Sequence, residues 1–321
     1  MTALPGVVSD APTIVVALGG NALQPPGERG DIHQQFAHAR ESLGAIVALA
    51  RAGWNIAIVH GNGPQIGDEL LRNELAREHR PPLPLGVLVA ATAGWIGYMI
   101  QQSLQNALAH AHVQRSVVTL ITQVVIDRDA ETTRVPAKPI GRVMDEETAR
   151  SLAAGHRWAI QATDSGWRRV VPSPVPLEIV ERVEIRRLVS TGAIVVAAGG
   201  GGTPVYTDAR LGLEGVDAVI DKDRAAAVLA RDLDAAVLLI LTNVDGVYQN
   251  WGERESRMVR SLSVQDAQRM LEQGEFGAGS MRPKVEAAAT FVRASGGRAL
   301  IARLDRGLEA VHGEAGTEIV A

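Results

Sequence analysis

The chain has 321 residues and no cysteine, so disulfide bonds, thiolate metal ligands and cysteine nucleophiles are excluded. Aromatic residues make up only 3% of the sequence and are scattered, which disfavours a platform for stacking nucleic-acid bases. The formal net charge of −4 also argues against a protein that coats a polyanion. The rest of the composition is that of an ordinary globular protein, and the chain is long enough to bury a large core. We expect no nucleic-acid partner.

Lysine is almost as scarce as cysteine. Of the 32 basic residues only Lys138, Lys222 and Lys284 are lysines, and the other 29 are arginines. A sequence bias that replaces lysine by arginine wherever the exchange is tolerated explains the many arginines. It does not explain why three lysines remain. Lysine offers a compact, rotatable ammonium group, whereas arginine offers a planar fork, so the two are not equivalent at a site that needs a point charge. The three lysines are therefore candidates for a functional site.

Two common nucleotide-binding motifs are missing. None of the three lysines follows a glycine, so the chain has no P-loop. Gly61 and Gly63 look like the opening of a dinucleotide fingerprint, but the third glycine comes too late, at Gly67. A dehydrogenase is therefore disfavoured.

Residues 83–100 are uncharged and as long as a membrane span. The segment contains Pro84 and three glycines and runs into Gln101 and Gln102, so we interpret it as a buried helix. The first dozen residues lack the charged and apolar regions of a secretion signal. We therefore expect a cytoplasmic protein without a membrane partner.

Short apolar runs alternate with stretches of helical spacing along the chain. This pattern predicts an α/β fold with a mainly parallel sheet covered on both faces. The predicted strands are Thr13 to Leu18, Ile56 to Val59, Ala193 to Ala198 and Ala236 to Leu241, and the predicted helices are residues 40–51, 65–78, 222–230 and 285–294.

The composition changes between residues 124 and 174, where prolines and tryptophans accumulate. Hairpin-like segments and one helix near residues 146–154 are predicted there. We interpret this stretch as an inserted subdomain or lid.

Each predicted strand is followed by a glycine-rich or turn-forming loop, and the carboxyl ends of parallel strands meet at one edge of a sheet. Consecutive glycines let backbone N–H groups converge on an anion, and a helix N-terminus adds partial positive charge. Phosphate is the ligand that this arrangement favours. The loops are Gly19 to Asn21, His60 to Pro64, Gly199 to Gly202 and Thr242 to Gly246.

The surroundings of the lysines also favour an anion. Lys222 stands between Asp221 and Asp223 at the start of a predicted helix, where a cation is unfavourable unless an anion is bound nearby. Lys284 also precedes a helix, and Lys138 lies between prolines on the predicted lid. Asp221 fits a helix cap as well as it fits a functional role.

Several longer motifs run from residue 13 towards the C-terminus. They are Val16 to Ala22, His60 to Gln65, Thr122 to Val125, Lys138 to Gly141, Gly166 to Pro174, Gly199 to Gly202, Val219 to Asp223, Thr242 to Tyr248 and Gly279 to Lys284. Together these motifs resemble those of the carbamate kinase family of the amino acid kinase superfamily, and the three lysines fall where that family has its essential lysines.

The resemblance implies an open α/β/α sandwich with a small inserted lid, at about residues 124–174. It implies an N-terminal half, residues 1–176, that binds carbamate or carbamoyl phosphate, and a nucleotide-binding half, residues 177–321. It also implies a homodimer, a place in arginine metabolism, and reversible conversion of carbamoyl phosphate and ADP into carbamate and ATP.

The resemblance further implies roles for individual residues. Magnesium would arrive with the ATP or ADP, and no residue is expected to be a dedicated metal ligand. Catalytic roles fall on Lys138, Lys222, Asp223 and Lys284. Phosphate or substrate binding falls on Gly19, Gly20, Asn21, Gly61, Asn62, Gly63, Gly200 and Gly201, and nucleotide binding on Thr242, Asn243, Val244, Asp245, Tyr248 and Met281.

Two alternatives stay open. A sister kinase of the same fold would phosphorylate another small acid or a phosphate, and the lid motifs argue against it. A non-catalytic nucleotide-binding regulator would be expected to lose a lysine, and none is lost. The lid does depart from the family at Thr163 to Ser165, where many members carry an arginine.

Overall fold

The computed structural model describes residues 10–19, 23–24, 30–156, 158–163, 165–251, 255–276 and 281–321. The strands are β1 Thr13–Leu18, β2 Asn55–His60, β3 Val117–Thr119, β4 Gln123–Ile126, β5 Pro136–Met144, β6 Ala159–Thr163, β7 Gly166–Pro172, β8 Pro176–Ile179, β9 Ile194–Val196, β10 Thr203–Asp208, β11 Gly212–Gly215, β12 Val237–Thr242, β13 Val247–Gln249, β14 Arg257–Val259, β15 Ser261–Ser263, β16 Arg298–Arg303 and β17 Thr317–Val320. The helices are α1 Ile32–Ser42, α2 Gly44–Arg51, α3 Gly63–Leu75, α4 Leu85–His110, α5 Glu131–Arg134, α6 Glu146–His156, α7 Arg182–Ser190, α8 Lys222–Asp232, α9 Val264–Glu272, α10 Met281–Ser295 and α11 Gly307–Val311.

An eight-stranded sheet forms the centre of the molecule, in the order β15-β17-β16-β12-β1-β2-β9-β3. From β16 to β3 every neighbouring pair is parallel, and β17 is antiparallel to β16 at one end. The central strands are buried along nearly their whole length, which explains their continuous apolar sequences. The expected α/β class with a mainly parallel sheet is confirmed.

Alternate residues of each central strand face two separate cores. Ile14 and Val16 belong to the core that includes residues of α2, α4 and α11. Val15 and Ala17 belong to the core that includes residues of α7, α8, α9 and α10. Helices therefore cover both faces of the sheet, which is the expected α/β/α sandwich.

Two smaller sheets extend this body. One has the order β11-β10-β4-β8, and the other is the antiparallel sheet β5-β7-β6, against which α6 packs. The three-stranded sheet and α6 lie within the stretch predicted as a lid, and we call residues 136–172 the lid. β4, at the start of the predicted stretch, pairs with β10 and β8 instead. The division into a substrate half and a nucleotide half stays a prediction.

The helix predicted over residues 40–51 is in fact two helices. α1 begins at Ile32, where Asp31 accepts hydrogen bonds from the backbone N–H groups of His33 and Gln34 as an N-cap. The backbone of Leu43 then leaves the helical conformation, and α2 follows. The uncharged segment is α4, and within the described ranges no helix is long and apolar enough to cross a membrane.

Candidate active site

The loops predicted to bind phosphate lie side by side. β12, β1, β2 and β9 are neighbours in the sheet, so the loops that follow them leave at the same edge. The backbone N–H of Gly61 donates to the carbonyl oxygen of Leu18 at 3.1 Å, which joins the loop after β2 to the end of β1. Gly19 follows β1 at this edge, whereas Gly20 and Asn21 lie outside the described residues.

The loop after β9 packs tightly against the loop after β2. A Cβ atom on Gly199 would lie 2.4 Å from Nε2 of His60, and one on Gly200 would lie 2.3 Å from Nδ2 of Asn62. Gly200 and Gly201 have positive φ angles of 66° and 93°. We call residues 199–202 the glycine turn, and a Cβ atom at any of its four positions would lie within 2.4 Å of a neighbouring atom, so only glycine fits there without moving a neighbour.

The glycine turn also borders the start of α8. A Cβ atom on Gly201 would lie 2.4 Å from the backbone oxygen of Ile220, two residues before Lys222. At this helix N-terminus the carboxylate of Asp221 accepts hydrogen bonds from the backbone N–H groups of Asp223 at 2.9 Å and Arg224 at 3.3 Å. The N-cap therefore places Lys222 and Asp223 next to the glycine turn.

The three lysines converge on two carboxylates from three different elements. Nζ of Lys222 lies 2.5 Å from one oxygen of Asp223, and Nζ of Lys284, on α10, lies 3.0 Å from the other. Nζ of Lys138, on β5 of the lid, lies 2.7 Å from Asp221. We call these five side chains the lysine cluster.

The charges in the lysine cluster do not balance. Three ammonium groups face two carboxylates, and the side chains of Asp223 and Lys284 are only 2% and 8% exposed. Each ammonium group has a carboxylate partner, but the cluster holds one positive charge more than it holds negative charges. Such an excess is costly in a largely buried site, so it favours a bound anion. This excess charge is the observation that supports an anion site around these lysines, which stays a prediction.

Burial and neighbouring charges act on the ionisation of this cluster. Burial raises the pKa of Asp221, but the ammonium groups of Lys138, Lys222 and Lys284 outweigh it and hold that pKa far below its usual range. Burial lowers the pKa of Lys222, and the nearby Asp223 carboxylate opposes this effect. The carboxylate of Asp221 is therefore ionised, and it caps α8 while binding the lid lysine.

His60 is fully buried beneath the loops. Its Nδ1–H donates to the carbonyl oxygen of Gly61 at 3.1 Å, and Nε2 faces Gly199. Burial lowers its pKa to about 4, so the ring is neutral at physiological pH. His60 packs the loops and does not supply a positive charge to the site.

The residues predicted to bind nucleotide lie in three places. Thr242, Asn243, Val244 and Asp245 leave the carboxyl end of β12, beside β1, and Asp245 pairs with Arg303 at 3.3 Å. Tyr248 follows on β13, where its ring contacts Trp251 edge-on at 5.0 Å between centroids. Met281 begins α10, three residues before Lys284. Residues 242–245 therefore lie at the same edge of the sheet as the glycine loops, and Met281 lies on the same helix as Lys284.

Sequence reasoning missed one role within the cluster. Asp221 could be recognised as a helix cap, but its second carboxylate oxygen binds Lys138, which is 83 residues away in the chain. The signal that the sequence offers for this role is the pair of aspartates that flank Lys222. Only the position of the lid in space shows that the two aspartates bind different lysines.

Comparison with known proteins identifies the family. The family model described as "Amino acid kinase family" matches residues 12–303. A carbamate kinase of Pyrococcus horikoshii is 42% identical over 309 residues, which cover 95% of this chain and 98% of that relative. The chain belongs to the carbamate kinase family. It is therefore a member of a family of phosphotransferases, and its resemblance to that family is confirmed.

Solved structures agree with this assignment. Carbamate kinase from Giardia lamblia bound to citric acid has a TM-score of 0.92 and 36% identity, and the alignment covers 97% of this chain and 99% of that one. The same protein bound to AMP-PNP, an ATP analogue, has a TM-score of 0.87 with equal identity and coverage. The expected amino acid kinase fold is confirmed, and the AMP-PNP complex indicates a family that uses nucleotides.

Proposed function

We propose that this chain is a carbamate kinase that transfers a phosphoryl group reversibly between carbamoyl phosphate and ADP, giving carbamate and ATP. The observation that carries the proposal is the lysine cluster, in which three ammonium groups surround two carboxylates beside the glycine turn. The similarity to carbamate kinases over almost the full chain supports the choice of substrate.

The chemistry suits a site built from lysines and backbone N–H groups. Both the carbamate and the terminal phosphate of ADP are anions that attack without losing a proton, so the reaction needs no general base. It needs the two reactants held in line and the charge on the transferring group stabilised. A serine or histidine nucleophile has no part in this scheme, and the neutral, buried His60 fits that reading.

The three lysines and Asp223 take three roles in this proposal. Lys222 and Lys284 bind the equatorial oxygens of the transferring phosphoryl group and stabilise its charge. Asp223, hydrogen-bonded to both, holds the two ammonium groups in position. Lys138 comes from the lid to neutralise carbamoyl phosphate, and in the structure it lies on Asp221 at 2.7 Å.

The loops would bind the remaining phosphate oxygens. The loops after β1, β2 and β9 meet at one edge of the sheet, and the side chain of Asn62 lies against the glycine turn. Backbone N–H groups that are not used within these loops would donate to the anion. The residues that we assign to this binding site are Gly19, Gly20, Asn21, Gly61, Asn62, Gly63, Gly200 and Gly201.

We assign the nucleotide to the loop after β12 and the start of α10, with Tyr248 near the base. Magnesium would arrive with the nucleotide, because both carboxylates of the cluster already bind ammonium groups and so do not attract a dication. Among the described residues, no group of three histidine or acidic side chains could hold a metal. When bound, magnesium would neutralise charge on the nucleotide phosphates.

A homodimer is part of the proposal, and an exposed face of α4 supports it. Val87 and Tyr98 are 48% and 55% exposed along this helix, and Ile121, which is 48% exposed, lies over Gly94. Several large apolar side chains exposed on one helix and beside it are typical of an interface. A cytoplasmic location and a role in arginine metabolism stay predictions from the resemblance.

The direct test measures ATP formation from ADP, magnesium and freshly prepared carbamoyl phosphate, with acetyl phosphate as a parallel donor. We expect rapid ATP formation that strongly prefers carbamoyl phosphate. If the protein binds ADP but forms no ATP from carbamoyl phosphate, the proposal fails. A sister kinase or a nucleotide-binding regulator would then take its place.

A further inference from the structure

Two threonine side chains are buried immediately behind the proposed phosphate site. Thr92 lies in the N-terminal third of α4 and is 0% exposed, and Thr122 lies between β3 and β4 and is 1% exposed. Neither belongs to the lysine cluster or to the loops assigned to phosphate. Each hydroxyl nevertheless makes a hydrogen bond to a residue that shapes that site.

Thr92 fixes the side chain of Asn62. The amide nitrogen of Asn62 donates to the Thr92 hydroxyl at 2.9 Å, and this hydroxyl donates its own hydrogen to the carbonyl oxygen of Val89 at 2.9 Å. Because the hydroxyl hydrogen is used on the helix, only the oxygen lone pairs face Asn62. The bond therefore orients the Asn62 amide, which lies directly against Gly200.

Thr122 fixes the entry to the glycine turn. The backbone N–H of Ala198 donates to the Thr122 hydroxyl at 2.8 Å, and that hydroxyl donates to the carbonyl oxygen of Leu120 at 3.1 Å. Ala198 has a φ of 48°, a left-handed conformation that a residue with a Cβ adopts at a cost. The backbone N–H of Thr203, just past the turn, donates to the carbonyl oxygen of Thr122 at 2.8 Å. Thr122 thus holds the turn at both ends.

We propose that Thr92 and Thr122 are positioning residues for phosphoryl transfer. Thr92 acts through Asn62, and Thr122 acts through Ala198 and the glycine turn. This inference rests on the proposed function, because it assumes that these loops bind the phosphoryl group. Displacing such a group by about 1 Å can lower the rate about 100-fold, so two buried hydroxyls can affect turnover without touching the substrate.

The experiment compares Thr92→Val and Thr122→Val with Thr92→Ser and Thr122→Ser. Valine keeps the shape and removes the hydroxyl, whereas serine keeps the hydroxyl. Ser103→Ala is the matched control, since Ser103 is a buried hydroxyl residue on the same helix, away from the loops. The measurements are kcat and KM for carbamoyl phosphate, the Kd of ADP, and the melting temperature.

For each valine variant we expect kcat/KM for carbamoyl phosphate to fall about 10- to 100-fold, with the Kd of ADP unchanged. Each serine variant should recover most of the loss, and Ser103→Ala should behave as wild type. Thr92→Val should have little further effect in an Asn62→Ala background, because a residue that acts through another is not additive with it. If the Thr92→Val protein does not fold, Thr92→Ala serves in the same double-mutant cycle.

The outcomes separate the two proposals. If the wild type forms no ATP from carbamoyl phosphate, the proposed function fails. If the wild type is active and the folded valine variants have the same kcat/KM as the wild type, the positioning role is wrong. It is also wrong if these variants lose ADP affinity by the same factor as they lose kcat/KM. The role of Thr92 would also be wrong if Thr92→Val lowered kcat/KM by the same factor in the Asn62→Ala background as in the wild type.

Discussion

At the scale of single residues, the chain uses lysine where a compact charge is needed and arginine elsewhere. All three lysines lie in one cluster, whereas many of the 29 arginines pair with carboxylates at the surface, as Arg298 does with Glu318. The cluster holds each ammonium group against a carboxylate from another part of the fold or from the adjacent residue. A guanidinium would place its charge over a wider plane and would not fit the same positions.

The buried His60 makes stability depend on pH. Its pKa is about 4 in the folded protein and 6.5 when unperturbed, so below pH 6.5 the unfolded chain takes up a proton that the folded protein does not. The free energy of unfolding should therefore fall as the pH drops from 6.5 to 4, by up to about 3 kcal/mol from this residue. Denaturant unfolding across this range tests the prediction. His60→Asn should make the free energy of unfolding depend less on pH, whereas the control His79→Asn, at an exposed residue, should not. The same dependence on pH in the wild type and both variants would contradict the prediction.

At the scale of elements, the lid is held on α3 by two glycines. The φ angle of Gly141 in β5 is 70°, and a Cβ atom on Gly67 in α3 would lie 2.0 Å from the Cα of Gly141. Beside this contact, Arg142 of β5 binds Asp68 at 3.1 Å. The close approach of the two backbones sets the position of β5, and with it the position of Lys138.

Gly67→Ala should therefore displace the lid. The new methyl group meets backbone rather than a movable side chain, and such overpacking typically costs about 1–3 kcal/mol. We expect KM for carbamoyl phosphate to rise about tenfold or more, because Lys138 moves, while ADP binding stays normal. Gly44→Ala, in α2, is the matched control, since its Cβ atom would meet nothing within 4 Å. Unchanged steady-state kinetics in Gly67→Ala would show that this contact does not position the lid.

At the scale of the whole molecule, the proposed dimer uses the exposed face of α4. Light scattering should give a mass twice the 34.0 kDa of one chain. Tyr98→Arg should shift the protein towards monomer, because it places a charge in the apolar area. Val183→Arg is the control, at a residue that is 48% exposed on α7, a helix that covers the opposite face of the sheet. A monomeric wild type, or a Tyr98→Arg protein that stays dimeric, would rule out this interface.

Much of the fold could be predicted from the sequence because the central strands are continuous apolar runs and the loops after them are rich in glycine. The break at Leu43 could not, since apolar spacing continues through it. The lysines and the glycine loops could be recognised from composition and motif. The roles of Thr92 and Thr122 could not, although Thr122 begins one of the motifs, because only the fold brings Thr92 to Asn62 and Thr122 to Ala198.

The central claim is that the lysine cluster stabilises the transferring phosphoryl group. The most direct measurement is the single-turnover rate of ATP formation by Lys222→Ala, with ADP binding measured on the same protein and Arg224→Ala, on the same helix, as the control. We predict a loss of about 3 kcal/mol or more of transition-state stabilisation, at least 100-fold in rate, while ADP still binds and Arg224→Ala stays active. A Lys222→Ala protein that forms ATP at a near-normal rate would contradict the account.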